Sequence, residues 1–423
     1  MAGNHYGWEI GKPLPTIGEH SLAKHRILDR YLRRYIEICT TQPRMERLRL
    51  SVIDGFAGGG RYQFLDETRP GSPIILLQAI SDMQDKLNAI RPKGFEVDTN
   101  FVFIDDKKAH TDYLRAEIEQ SAFSSLLDKK VHVINRPFGD CVDGLIATSK
   151  SHTRTGRALF ILDQYGWSNV VFEDVRKILQ SLPKAEVFLN FSVDALINYM
   201  SEQHVGHSSY KRIELDPGFV KELLDLKGTE AGWRTIIQNE LYGHIQQQTG
   251  AEFYSPFFVK SLEASRSYWL LHLSRHREAR NEIGKIHWDE SNVSLHHGGA
   301  GLGALGFAPG RDPAQYALDF EFDSSAHNRS LDKLSSQIPE RVYDLVESGA
   351  RATLETLFGN HCNDTPVTLP IVEDALALLR DDAEIKIISD DGKTRPRAKT
   401  FSWTDEVVLP TQRKLFGPFA PKK

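Results

Sequence analysis

The sequence predicts an α/β protein: a doubly wound, Rossmann-like parallel sheet with a helical insertion, followed by a C-terminal winged-helix-like domain. Three observations predict it. Short apolar, β-branched runs alternate with helical periodicities between residues 48 and 191. These runs end in or beside Asp54, Asp105, Asn135, Asp163 and Asn190, so polar groups collect at the carboxyl ends of strands, where open α/β sheets hold ligands. After residue 191 the alternation breaks, and two hairpin-linked apolar runs follow.

Length and composition leave room for this architecture. The chain has 423 residues, 40% hydrophobic and 26% charged, as in a water-soluble globular protein large enough for two or three domains. A net charge of −5 excludes a globally basic polymer-binding surface, so any contact with nucleic acid has to be local. Cys39, Cys141 and Cys362 form no CxxC pair and no zinc spacing, which points to a reducing, cytoplasmic compartment. No apolar run reaches the roughly 18–20 residues of a membrane span, and the first residues lack a signal-peptide core.

The elements follow in order. Residues 1–47 form an N-terminal segment whose Ser21 to Thr40 stretch has helical spacing at Leu22, Ile27, Leu28, Tyr31, Leu32, Tyr35 and Ile36. Its Lys24, His25, Arg26, Arg30, Arg33 and Arg34 read as a solvated basic face, with Lys24 and His25 the two that would approach a ligand crevice. Residues 48–290 form the α/β domain. Leu48–Asp54 is the first strand. A small-residue turn, Gly55 to Gly60, leads into a polar loop ending at Pro70, and Ser72 and Pro73 start a helix. Strands are then expected at Asn100–Ile104, Lys130–Asn135, Arg157–Leu162 and Ala185–Phe191, with a helix between each pair. About 193–250 is a helical insertion, and Phe253–Ser261 with Ser267–Leu273 form the late hairpin. Residues 291–337 are a Gly/Ser-rich connector without the GKS/T ending of a phosphate loop. Residues 338–423 carry helices from Pro339, Ala350 and Leu369, then a hairpin, which is the winged-helix order.

The chemistry expected of the crevice follows from its groups. Gly58 and Gly60 allow close backbone approach to a ligand, and their neighbours Phe56 and Ala57 share the loop. Asp54 orients that loop or accepts from an ammonium; Asp105, with Asp106 one register away, accepts from a ribose diol; Asn135 or Asp140 accepts from an adenine amine. Together these match the groups of S-adenosylmethionine, and two late strands at one sheet edge are what class I methyltransferases carry. Asp105, Asp106 and Asp140 also have a plainer reading as helix caps. Asp163, Tyr165 and Trp167 stand where amine-methylating enzymes carry Asp/Asn-Pro-Pro-aromatic, with the acid for the target nitrogen and an aromatic for stacking. Here Gln164 replaces the first proline, and Trp167 is equally suited to a core. Histidine pairs such as His272/His276 lack partners at metal spacing, so no metal is expected. Lys393, Arg395, Arg397 and Lys399 at the late hairpin tip are the candidate nucleic-acid contacts, for DNA or RNA.

The chain resembles the three-Cys-motif partner proteins of bacteria. The resemblance lies in Lys24-His25 with Ile27-Leu28 and Tyr31-Leu32, in Ile53 to Gly60, in Gly71-Ser72-Pro73, in Phe160 to Gly166, and in Tyr268 to His276 with Ala279-Arg280 and His287-Trp288. It covers roughly residues 8–290. Gly59 and Gln164 stand where that family usually has proline. The resemblance implies a methyltransferase-like fold and a partner, the radical-adenosylmethionine-like protein with the three-cysteine motif. The expected function is an adenosylmethionine-dependent methyltransferase acting on nucleic acid. Its rivals are a partner module that kept the fold without turnover, acting in phage defence, and a metal-dependent nuclease using the strand-end acids.

Overall fold

The computed structural model describes residues 7–229, 233–261, 266–290, 294–297, 300–302, 319–321 and 325–410. The chain divides into two compact units, Met1–His296 and His297–Lys423.

The first unit is built on one twisted sheet. Its central strands, β1 (Arg47–Asp54), β4 (Glu96–Asp105), β5 (Val131–Asn135), β6 (Ala158–Leu162) and β7 (Ala185–Phe191), are all parallel. Every residue of β6 and β7 is buried, which accounts for their apolar sequence, interrupted only by Glu186 and Asn190 of β7. Hairpin strands β8 (Phe253–Ser261) and β9 (Arg266–Ser274) complete it, with β9 antiparallel to β7. The order across the sheet is β8-β9-β7-β6-β1-β4-β5. From β1 the chain winds outward to β4 and β5, then returns to the other side of β1 for β6 and β7. That reversal places the topological switch point between β1 and β6, the place where such sheets open a crevice. A short strand, β10 (Ser294–His297), adds antiparallel to the free edge of β8.

Helices cover both faces: α1 (Glu19–Cys39), α2 (Ser72–Ile90), α3 (Lys108–Glu119), α4 (Val142–Thr153), α5 (Phe172–Ser181) and α10 (Arg277–Asp289). The insertion folds as α6 (Val193–Tyr199), α7 (Ser208–Arg212), α8 (Pro217–Thr229) and α9 (Trp233–Thr249), with α9 packed on α5 and α8. Helix α1 buries Ile27, Leu28, Tyr31, Leu32 and Ile36, the residues whose spacing predicts it. Its basic face is not simply solvated. Arg30 bonds Asp289 and Glu290, Arg26 bonds Glu290, Arg34 bonds Glu282, and Arg33 bonds Asp82, so the charges tie α1 to α10 and α2.

The polar loop expected before Pro70 is a β-hairpin, β2 (Arg61–Phe64) with β3 (Glu67–Pro70). Its turn carries no Asn-Gly signature; Leu65 takes the left-handed conformation instead, at φ 50°. The N-terminal segment supports the hairpin from outside: Ile17 N–H donates to Gln63 O, and Gln63 N–H to Pro15 O.

The second unit contains α11 (Ala326–Glu347), α12 (Leu354–Leu357), α13 (Leu369–Asp381) and an antiparallel pair, β11 (Lys386–Ile388) with β12 (Glu406–Val408). Pro339, expected to open a helix, lies inside α11. An interior proline costs about 3 kcal/mol, and the buried face of Leu334, Ile338 and Val342, with α13 packed on α11, offsets it. Most of the Gly/Ser-rich connector lies outside the described residues. No helix among the described residues is long and apolar enough to cross a membrane.

Candidate functional site

The glycine turn leaves the end of β1 in a conformation that glycine permits. Gly58 and Gly60 have φ of 59° and 81°, where a side chain is strained. Gly55 N–H donates to Ile161 O of β6, and Ala57 N–H to Ile104 O of β4, so the turn is held across the switch point. Asp105, at the end of β4, accepts from Gly58 N–H at 3.1 Å and from Lys107 N–H at 2.9 Å, and His110 Nδ1 stands 3.1 Å from it. Trp8 packs against the turn; a Cβ on Gly59 would lie 2.2 Å from its ring. The indole stands edge-on to Tyr62 and His110 and donates its N–H to Arg61 O.

Asp54 is wholly buried at the end of β1, and its Oδ1 accepts the Phe56 N–H at 3.1 Å. Burial pushes its carboxyl up to about 7; the Ser72 hydroxyl and the Phe56 N–H oppose this, and Asp163 and Asp105 add to it. Asp163, just past β6, is held by a residue 139 positions away: Lys24 Nζ donates to both its oxygens, at 2.6 and 2.9 Å. Next to Lys24 on α1, His25 is buried, which drives its imidazole down to about 4; Asp163 pulls the other way, and Lys24 adds to the fall. Lys24, His25, Asp163, Asn190 and Ser72 wall one small cavity of about 30 Å³ together with apolar Leu28, Ile161, Phe188 and Leu270.

The structure therefore brings Asp54, Asp163 and Asn190 to one crevice, and Lys24 and His25, the two residues of α1 expected to approach it, line it beside Asp163. Asp105 holds the glycine turn. Asp106, Asn135 and Asp140 lie exposed along the rim, with Asn135 Nδ2 donating to Asp105 O. Phe56 meets Phe138 at 6.2 Å, and Ala57 is buried. Tyr165 is 59% exposed, whereas Trp167 is buried against Tyr210 and Tyr199, where it pins the insertion to the loop after β6. Gln164, in the proline position, closes that loop: its Oε1 accepts from Asn169 and Val170 N–H at 2.8 and 2.9 Å. Sequence reasoning passes over a buried set under the sheet, Tyr31 and His272 both bonded to Glu186 of β7. The lone acid inside an apolar strand is the signal that finds it. Among the described residues, no group of three or more His, Cys, Asp or Glu is placed to hold a metal ion.

In the second unit the chain between β11 and β12 bears the four basic candidates. Lys393 pairs with Asp391, and Arg395 with buried Asp405; Arg397 and Lys399 are exposed. The preceding helix α13 turns Asp374, Leu378 and Asp381 outward.

A family model described as the GMT-like wHTH domain matches residues 306–392. The second unit is a winged helix. The match begins inside the stretch that reads by composition as connector. Among solved structures, a protein of Legionella pneumophila str. Philadelphia 1 (family-model DUF519) overlays with a TM-score of 0.36 at 9% identity, over 66% of this chain and 95% of its own. An O-methyltransferase from Bacillus cereus in complex with SAH overlays at 0.27 and 11% identity, over 58% of this chain and 80% of its own. The N-terminal domain of human METTL16 in complex with SAH overlays at 0.26 and 12%, over 60% and 70%. Likeness at that level assigns no ligand and no reaction to this chain; the class I methyltransferase fold of the first unit rests on its own strand order. No curated protein matches the sequence.

Proposed function

We propose that the chain is an S-adenosylmethionine-dependent methyltransferase that acts on nucleic acid, with the winged helix as its docking domain and a partner protein of the three-Cys-motif kind. The observation that carries the reading is the crevice at the β1/β6 switch point, where the glycine turn, Asp105 and the Lys24–Asp163 pair meet the ends of adjacent strands. Its residues fit the cofactor. Each Asp105 oxygen keeps a lone pair beyond those given to backbone N–H groups, so the carboxylate can still accept from a ribose diol. The exposed Asn135 and Asp140 supply acceptors for an adenine amine. Bound adenosylmethionine supplies a methyl group made electrophilic by its sulfonium. The chain's own part is to bind, orient and exclude water. Asp163 carries the negative charge nearest Lys24 and His25, and neutral His25 offers a proton acceptor that does not compete for charge. Nucleic acid enters the proposal through the winged helix, and there the support is local: the outward face of α13 is acidic, so the loop with Arg397 and Lys399 carries the contact.

One observation favours a second reading, a binding module without turnover. Both Asp163 oxygens are engaged by Lys24 within the chain itself.

Isothermal calorimetry with adenosylmethionine and adenosylhomocysteine tests the first reading. Binding is expected for the intact chain and is expected to weaken about tenfold or more in Asp105→Ala, with the melting temperature measured alongside to separate lost binding from lost fold. No heat with either compound ends the methyltransferase proposal. Binding without methyl incorporation into DNA or RNA, with or without the partner, selects the module.

A further inference from the structure

The small cavity beside Asp163 has a chemistry of its own. Asn190 is buried at the end of β7, and its Nδ2 is committed to Gln164 O at 3.1 Å. Its carbonyl oxygen is therefore the free end, and it has no partner. His25 is also buried, and its Nδ1 has no partner. Asp163 has lone pairs beyond those used by Lys24. The unspent capacity that Asn190 and Asp163 present to the cavity is thus acceptor capacity, and a neutral His25 has one accepting nitrogen to add to it. A buried acceptor left unmatched is costly, and Asn190 Oδ1 is one, beside an imidazole nitrogen of His25 that also lacks a partner. The group already seated there, the Lys24 ammonium, is a nitrogen bearing N–H donors. The remaining wall is apolar apart from Ser72, whose hydroxyl bonds Asp54.

We propose that this cavity is the acceptor site and that it takes the exocyclic amino group of a nucleobase, with Lys24 as its place-holder when no acceptor is bound. The proposal rests on the methyltransferase reading above for its chemistry, though not for its binding. Size supports it. A cavity of about 30 Å³ admits an amino group and no ring. His25 also walls a second, larger space of about 610 Å³ between α1, the β2–β3 hairpin and α2, a volume typical of ligand pockets. Leu22, Phe64, Ile74 and Ile75 give that groove apolar sides for a flat ring. His25 is common to both walls, so the proposal sets the ring against His25 with its amine turned to Asn190 and Asp163. Nothing in the glycine turn or the strand-end acids assigns this groove, and its outer wall is the hairpin that the sequence reads as loop.

The test compares single strands in which the exocyclic amino group is exchanged for an oxo group with its ring N–H. Twelve-nucleotide oligo(C) is set against oligo(U), and oligo(A) against oligo(I), by fluorescence anisotropy with the full chain and no cofactor. The amino-bearing member of at least one pair is expected to bind about tenfold tighter. Asn190→Leu removes that preference, and Lys24→Met strengthens it. Equal binding within both pairs overturns the proposal, whether or not a variant folds, because the intact chain decides that comparison. A preference that survives Asn190→Leu also overturns it, as does methyl transfer to a lysine peptide with none to any strand. An amino preference without adenosylmethionine binding keeps this site and sinks the methyltransferase reading; adenosylmethionine binding without the preference does the reverse.

Discussion

Two buried titrating residues stand a few side chains apart, and their signs oppose. Asp54 has a folded value of about 7 against an ordinary 3.8, so the native state holds its proton longer than the unfolded chain. The stability linked to that proton is fully present below pH 4 and is lost as pH rises through 7. His25 has a folded value of about 4 against 6.5, so its contribution is present above pH 6.5 and is lost as pH falls towards 4. Between pH 4 and 6.5 the two slopes run against each other, and the intact chain should show little net dependence from this pair. Single substitutions expose each slope. Asp54→Asn should leave a protein whose stability rises with pH across that window, and His25→Gln one whose stability falls, each by on the order of 2–3 kcal/mol. Urea denaturation at pH 4.5 and 6.5 measures both. Matching slopes in the two variants would mean that the pair is not buried as described.

At the scale of elements, the hairpin between β11 and β12 makes the clearest test. Arg395 is spent on Asp405 and Lys393 on Asp391, whereas Arg397 and Lys399 are free on the surface. Arg397→Glu with Lys399→Glu should therefore weaken nucleic-acid binding more than Lys393→Glu. It should also reduce the slope of log affinity on log salt by about two. An unchanged slope makes the wing a protein contact. The elements also show what a sequence can disclose. The strands β1, β4, β5, β6 and β7 were legible because each is an apolar run of strand length closed by an acid or amide, and α1 because its spacing is regular. Hairpin β2–β3 was not, since its turn uses Leu65 at positive φ in place of glycine or asparagine. The start of α11 was missed because Pro339 is a strong stop signal that packing overrides. The strand-end acids were legible one at a time. Their partner Lys24 was not legible as such, because a pair 139 residues apart leaves no local pattern.

As a whole, the molecule contains two cores. The first unit packs both faces of its sheet; the second closes around Leu334, Ile338, Leu354, Phe358, Leu376 and Val407. Separate cores predict separate unfolding. Leu376→Ala should cost the smaller unit about 2–5 kcal/mol and lower one calorimetric transition while leaving the other in place. A single transition that moves as one would mean that the units fold together.

The position of Trp8 gives the glycine turn a spectroscopic handle. The indole is buried edge-on to His110 and Tyr62 and lies against Gly58 and Gly59, so its emission depends on the polarity and quenching set by that turn. The chain has six tryptophans, and subtracting the spectrum of Trp8→Phe isolates this one. Ligand entry at the turn then becomes an optical signal that needs no label and can be followed on the millisecond scale by rapid mixing.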